Sequence, residues 1–246
     1  MNIDNFGSGR ATQRVFRSGI IFMLLVLGLS GCAQTGATSH NDPLEPFNRK
    51  VNTFNDYLDR FFLKPVAQAY TFAIPSLLRT GISNAFDNIS YPLVIVNQFL
   101  QGKPATGGQD LARLLVNSTA GIGGLFDVAT GWGLPAHDED FGQTFAVWGI
   151  PSGPYLVAPL FGPVTIRDGI GDIGGIFAYP PTYFDDVSLR NSLYGASLVD
   201  QRARLLKAEE LVSGDRYLFI RDAYLQRREF LNNDGAVSET DPFLDD

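Results

Sequence analysis

The stretch Asp42-Pro43-Leu44-Glu45-Pro46-Phe47-Asn48-Arg49-Lys50-Val51-Asn52-Thr53-Phe54-Asn55-Asp56-Tyr57-Leu58-Asp59-Arg60-Phe61-Phe62 decides the fold class. Asp42 is a capping residue, Pro43 suits the first position of a helix, and Glu45 is placed to reach back to the cap amide. Pro46 is expected to delay the regular helix by a turn. Phe47, Val51, Phe54, Leu58, Phe61 and Phe62 then recur near spacings of 3, 4 and 7, the pattern of an amphipathic helix with an aromatic-rich stripe. Such a stripe suits either a packed core or a lipid surface.

Working outward to the N-terminus, residues 33–41 are a short polar tether and residues 1–31 have the organisation of a signal peptide. Arg10, Arg14 and Arg17 supply the positive segment. The apolar run Ile20–Leu29 follows and falls well short of the roughly 20 residues that span a bilayer. It ends in Leu29-Ser30-Gly31-Cys32, which resembles a lipobox, the recognition site of lipoprotein signal peptidase. Cys32 is the chain's one cysteine and stands where a lipobox needs it. It is expected to carry the lipid anchor, with Leu29, Ser30 and Gly31 read by the peptidase. A lipidated Cys32 leaves no thiol for a disulfide. Ala33 stands where lipoproteins kept in the inner membrane typically have Asp, which favours an outer-membrane destination.

Beyond the stripe, prolines punctuate short helical stretches. The expected segments are 66–73, 76–86, 93–101 and 110–119, with breaks at Pro65, Pro75, Pro92 and Pro104. Gly121-Ile122-Gly123-Gly124 is small enough for close backbone packing, and a short helix is expected over 125–130. Residues 131–163 are rich in Gly and Pro and read mostly as loop, with one helix between Asp140 and Trp148. Helices are expected over 165–177 (Thr165 and Asp168 forming a cap pair), 188–212 and 215–231. The last carries Arg216, Arg221, Arg227 and Arg228 on one face, read as a solvated face, the alternative being a face that meets lipid phosphates or an acidic partner. The tail from Asp234 holds acids and no base, which predicts disorder over 232–246. Two-residue alternation is not sustained anywhere. The fold class is therefore mainly α, with a Gly/Pro-rich loop region and no transmembrane span in the mature chain.

Charge narrows the function. The chain is −7 overall, and the mature part is about −9 once the signal peptide is removed, which argues against nucleic acid. Gly169-Ile170-Gly171-Asp172-Ile173-Gly174 matches a dinucleotide fingerprint in letters, but a helix is expected to begin before it, so close helix packing is the better reading. His137-Asp138-Glu139-Asp140 has metal-ligand residue types, yet four consecutive residues cannot converge on one ion, and it reads as a solvated acidic turn. No catalytic residue, metal or cofactor is expected.

Laid end to end, several blocks resemble the MlaA (VacJ) family of outer-membrane lipoproteins. They are Asp42–Arg49, Asn97–Gly102, Phe141–Thr144, Gly149, Gly153-Pro154-Tyr155, Pro159, Gly162, Thr165–Asp168, Arg202–Leu206 and Tyr224–Phe230. The resemblance covers residues 42–231. It implies a ring-like bundle of amphipathic helices in the inner leaflet of the outer membrane, around a polar channel through which phospholipids leave the outer leaflet. It implies as partners a trimeric porin, a soluble periplasmic lipid carrier and an inner-membrane ABC transporter, with retrograde flow that preserves lipid asymmetry. Within membrane, irregular backbone belongs where it is buried or lines a wet cavity. The loop with Gly149, Gly153, Pro154, Tyr155, Ala158 and Gly162 is therefore expected to border the channel, or else to be a packed surface loop. A lipoprotein enzyme acting on lipid or cell wall, and a structural tether, are the other two function classes compatible with the sequence.

Overall fold

A computed structural model describes residues Asp42–Ala236. The signal peptide, Cys32, the tether and the tail beyond Ala236 lie outside the described residues.

The chain opens with α1 (Glu45–Leu58), which passes through one π-helical turn (Asp59–Leu63) into α2 (Lys64–Ala73). Next come α3 (Ser76–Leu100), α4 (Pro104–Thr119), the short α5 (Val128–Gly131) and α6 (Phe141–Val147). A hairpin of β1 (Tyr155–Ala158) and β2 (Gly162–Thr165) leads into α7 (Ile166–Ala178). A 3-10 turn (Pro180–Tyr183), α8 (Val187–Leu205), a second 3-10 turn (Ala208–Leu211) and α9 (Arg216–Asn232) complete the fold. Side-chain caps set five of the starts: Asp127, Asp140, Thr165, Asp186 and Asp215 each accept a backbone N–H in the first turn of α5 to α9.

The first start departs from expectation. Asp42 accepts the N–H of Leu44 ahead of the helix, and α1 begins at Glu45 with Pro46 inside its first turn, where a proline needs no donor, so Pro46 does not delay it. Two prolines do not break helices as expected. Pro65 follows the π turn, where the Lys64 N–H bonds to the Asp59 carbonyl. Widening the turn before a proline accommodates its ring and missing donor without ending the helix. Pro92 lies inside α3, where the flanking Tyr91, Val94 and Ile95 are buried, and this packing holds 76–100 as one helix. Helix α4 likewise starts at Pro104 rather than Asp110, the helix expected over 125–130 shrinks to Val128–Gly131, and α8 stops at Leu205.

The Gly/Pro-rich region is not all loop. Tyr155 pairs with Thr165 and Ala158 with Gly162 in a two-stranded antiparallel ladder. Four residues per strand are too few for an alternation signal in sequence. Tyr155 and Val157 nevertheless point inward and form a small core with Tyr217, against which Val51, Leu218, Tyr224 and Leu225 pack. Helix α1 covers this hairpin, α3 packs on α4 and α8, α2 on α8, and α6 on α7. The last contact depends on glycine: a Cβ on Gly171 would lie 2.5 Å from the Gly142 nitrogen. The fingerprint-like glycines thus sit within α7 as packing residues.

Candidate functional site: an outward apolar surface over a polar interior

Helix α7 shows the unusual feature of this fold most clearly. Ile166, Ile170, Ile173 and Phe177 share one face, and all are exposed, Phe177 at 65%. The opposite face carries Arg167, Asp168 and Gly171, which are buried. A helix of a water-soluble domain shows the reverse pattern. Helix α4 repeats the inversion, with Leu111 and Leu115 exposed over buried Asp110, Arg113 and Asn117. So does the first helix: Phe47, Phe54 and Phe61 are exposed, Asn48 is fully buried, and Phe72 at the far end of α2 is 95% exposed. Among the described residues, more polar than apolar side chains are buried. The stripe that suited either core or lipid is therefore divided: its phenylalanines Phe47, Phe54, Phe61 and Phe62 face outward, while Val51 packs on the hairpin core.

The hairpin is held to α1 by two asparagines placed seven residues apart. Asn48 donates to the Tyr155 carbonyl (3.1 Å) and accepts from the Val157 N–H (2.9 Å). Asn55 donates to the Ala158 carbonyl (3.0 Å) and accepts from the Leu160 N–H (2.9 Å). The Asn48 carboxamide thus stands in for a neighbouring strand on the open edge of β1, and Asn55 holds the turn that follows it. Asn48 also lies within reach of Asp42, which accepts a hydrogen bond from the Tyr217 hydroxyl. The predicted loop residues fall at the turns and strands of this unit. Gly149, Gly153 and Gly162 have φ of 83, 69 and 88°, angles that a side chain resists. Tyr155 is buried, Ala158 half-buried, and Pro154 exposed. The tip presents Leu160 and Phe161, the latter 83% exposed.

The polar interior is a lattice of ion pairs, and it corrects two expectations. The Arg face of α9 is not a solvated face. Arg228 reaches Asp140 at 3.1 Å and Asp168 at 3.0 Å. Arg221 is buried beside Asp222 at 3.0 Å, and Arg216 meets Glu209 at 3.0 Å. Arg227, paired with Asp138, does face solvent, and Arg216 is partly open to it. Of the His137–Asp140 turn, Asp138 is solvated as expected, but its neighbours are not. His137 Nδ1 lies 2.8 Å from the buried Asp110, Glu139 is buried and accepts from Gln101 and Lys103, and Asp140 caps α6. The residue types were visible in sequence, but their partners lie on other helices. No group of three or more His, Cys, Asp or Glu among the described residues is arranged to hold a metal ion.

Within this lattice the carboxyls of Asp168, Glu209 and Asp127 are held in their charged form. Burial opposes ionisation of Asp168, but Arg228, Thr165, Tyr224 and Arg167 outweigh it and hold the carboxyl below its usual range. Burial is likewise outweighed at Glu209 by Arg202, Arg216 and Lys64, and at Asp127 by Thr130, Arg113 and Asn117, both carboxyls being held down at about 2. Burial turns Asp56 the other way, raising its carboxyl despite Arg216, and Asp172 is raised further. It reaches solvent on the polar side of α7, but the protein around it thins its hydration and Asp140 and Asp168 repel its charge. Its carboxyl is pushed up to about 6, against the opposing pull of Arg228.

Helices with apolar faces outward and ion-paired faces inward, none among the described residues long and apolar enough to cross a membrane, define a helical protein whose apolar surface is turned outward. The chain belongs to the MlaA lipoprotein family, whose profile matches residues 40–231. It is 37% identical over 218 residues to the intermembrane phospholipid transport system lipoprotein MlaA of Escherichia coli (strain K12), covering 85% of this chain and 86% of that protein. The protein of the same name in Haemophilus influenzae is 30% identical over 234 residues, covering 91% and 94%. A solved structure described as the structural basis for maintenance of bacterial outer membrane lipid asymmetry superposes with a TM-score of 0.69 at 36% identity, covering 79% of this chain and all of that one.

Proposed function

We propose that this chain is an outer-membrane lipoprotein of an intermembrane phospholipid transport system, anchored through Cys32 on the periplasmic face. Its helical ring offers phospholipids a polar route out of the outer leaflet. Lipid then passes to a soluble periplasmic carrier and an inner-membrane ABC transporter, and a porin trimer steadies the ring in the membrane. The observation that carries this reading is the inverted amphipathicity of α1, α4 and α7. Acyl chains can cover the outward faces, and each helix satisfies its own backbone against lipid. A headgroup crossing hydrocarbon unaided meets a large desolvation cost, which polar walls lower without covalent chemistry. An assigned catalytic residue is not needed. The test is phospholipase treatment of intact cells with and without the gene. Cells lacking it are expected to expose more cleavable phospholipid in the outer leaflet, and equal exposure would overturn the proposal.

Within this proposal the segment from Gly149 to Gly162, which includes β1 and the hairpin turn, borders the route. Asn55 and Ala158 supply a way to fix it, since their side-chain amide and carbonyl already touch. Cysteines at both positions should stop lipid clearance when oxidised and restore it when reduced. Undisturbed clearance despite complete crosslinking would make the hairpin a structural part alone.

A further inference from the structure

Asp172 stands apart from the rest of the interior lattice. It lies one turn beyond Asp168 on the side of α7 opposite Ile166, Ile170, Ile173 and Phe177. If those four residues meet acyl chains, Asp172 faces inward, yet it is exposed to solvent. An inward group that remains wet is at the wall of a water-filled space. Its neighbours Asp140 and Asp168 are both bound by Arg228, and Asp168 also by Arg167 and Tyr224. Neither Arg228 nor any other cation forms an ion pair with Asp172 among the described residues. The wall at this point therefore carries a carboxylate without an ion-pair partner, under only the longer-range pull of Arg228. Gly171, packed on the backbone of α6, and Asp168, bound by Arg228 of α9, fix the position of that charge from both sides.

Resting on the transport reading above, we propose that Asp172 is a specificity-determining residue of the lipid route, favouring headgroups that bear an ammonium and disfavouring headgroups with net negative charge. A zwitterionic amine headgroup can place its cation against the carboxylate as it passes. An anionic headgroup without an amine meets repulsion at the same place. One partly solvated charge contact changes such a balance by about three- to fivefold.

The experiment compares phosphatidylethanolamine with phosphatidylglycerol in the outer leaflet. Intact cells that carry the wild-type protein, no protein, or the Asp172→Asn, Asp172→Lys or Asp172→Glu variant are treated with external phospholipase, and the lysolipids are sorted by headgroup. In wild-type cells the residual outer-leaflet lipid is expected to be enriched in phosphatidylglycerol. Asp172→Asn should lower the glycerol-to-ethanolamine ratio about three- to fivefold, Asp172→Lys further, and Asp172→Glu should match wild type. If loss of the protein changes neither lipid, the transport reading itself fails. If clearance depends on the protein but the ratio is the same in all variants, Asp172 has no part in selection. If Asp172→Glu also abolishes clearance, the residue supports the fold and the proposal is overturned.

Discussion

Replacing Cys32 with Ala is expected to abolish fatty-acid labelling of the protein and to leave the signal peptide uncleaved at Gly31–Cys32. On the lipobox reading the thiol is where a diacylglycerol would be attached, and the sequence has no second cysteine to substitute for it. Lipid attachment precedes cleavage in a lipobox pathway, so one substitution should block both steps. A single acyl chain binds a membrane only marginally, whereas several chains anchor firmly. Simple fractionation is nevertheless a poor test here. The outward faces of α1, α4 and α7 would hold the variant at a membrane even without its anchor. Metabolic labelling with palmitate, read together with the mass of the accumulated precursor, separates the two contributions. Label on the Cys32→Ala protein would show the anchor assignment to be wrong.

Much of the helical framework was legible in the sequence because caps are local. Thr165 with Asp168, Asp140 and Asp215 each sit beside the helix they begin, so α6, α7 and α9 could be placed within a residue or two. The close packing expected of Gly121–Gly124 is also local in origin. Gly124 adopts φ 91° against Asn88, where a side chain would collide. The polar interior was not legible for two reasons. Charged faces were read as wet because that holds for a domain surrounded by water, and Arg221 and Arg228 belong to a domain turned the other way. Second, each of their partners is remote in sequence or indistinguishable in type. Nothing in the spacing of Arg228 points to Asp140 and Asp168. One signal did exist. The blocks through which the chain resembles its family are largely those that touch: Asn48 with Tyr155, Asn97 with Thr144, Arg228 and Tyr224 with Asp168. Read as mutual contacts rather than as separate motifs, they would have brought the hairpin, α1, α7 and α9 together before any coordinates were known.

Asp168 is the centre of that assembly, and Asp168→Ala is expected to cost about 3–5 kcal/mol of stability. The carboxylate accepts from Arg167 Nε at 3.0 Å, Arg228 Nη2 at 3.0 Å and the Tyr224 hydroxyl at 2.9 Å. Removing it leaves the guanidinium groups of Arg167 and Arg228, 6% and 11% exposed, without this acceptor. Stranding a buried charge costs more than the intact pair contributes, because the remaining ion can neither reach water nor lose its proton. Asp168→Asn keeps the shape and one acceptor oxygen and should cost about 2 kcal/mol. The two variants also differ from wild type in their response to acid. The carboxyl of Asp168 is held below its usual range in the folded chain, so the unfolded chain takes up a proton first as pH falls. The stabilisation is fully present above the unfolded value of about 4 and is lost as pH falls through the lower folded value. The gap in melting temperature between wild type and Asp168→Asn, measured in detergent micelles, should therefore be widest near neutral pH and narrow below about pH 4. An Asp168→Ala protein that unfolds within about 1 kcal/mol of wild type, or a gap that does not change with pH, would show that Arg167 and Arg228 are held by something other than this carboxylate.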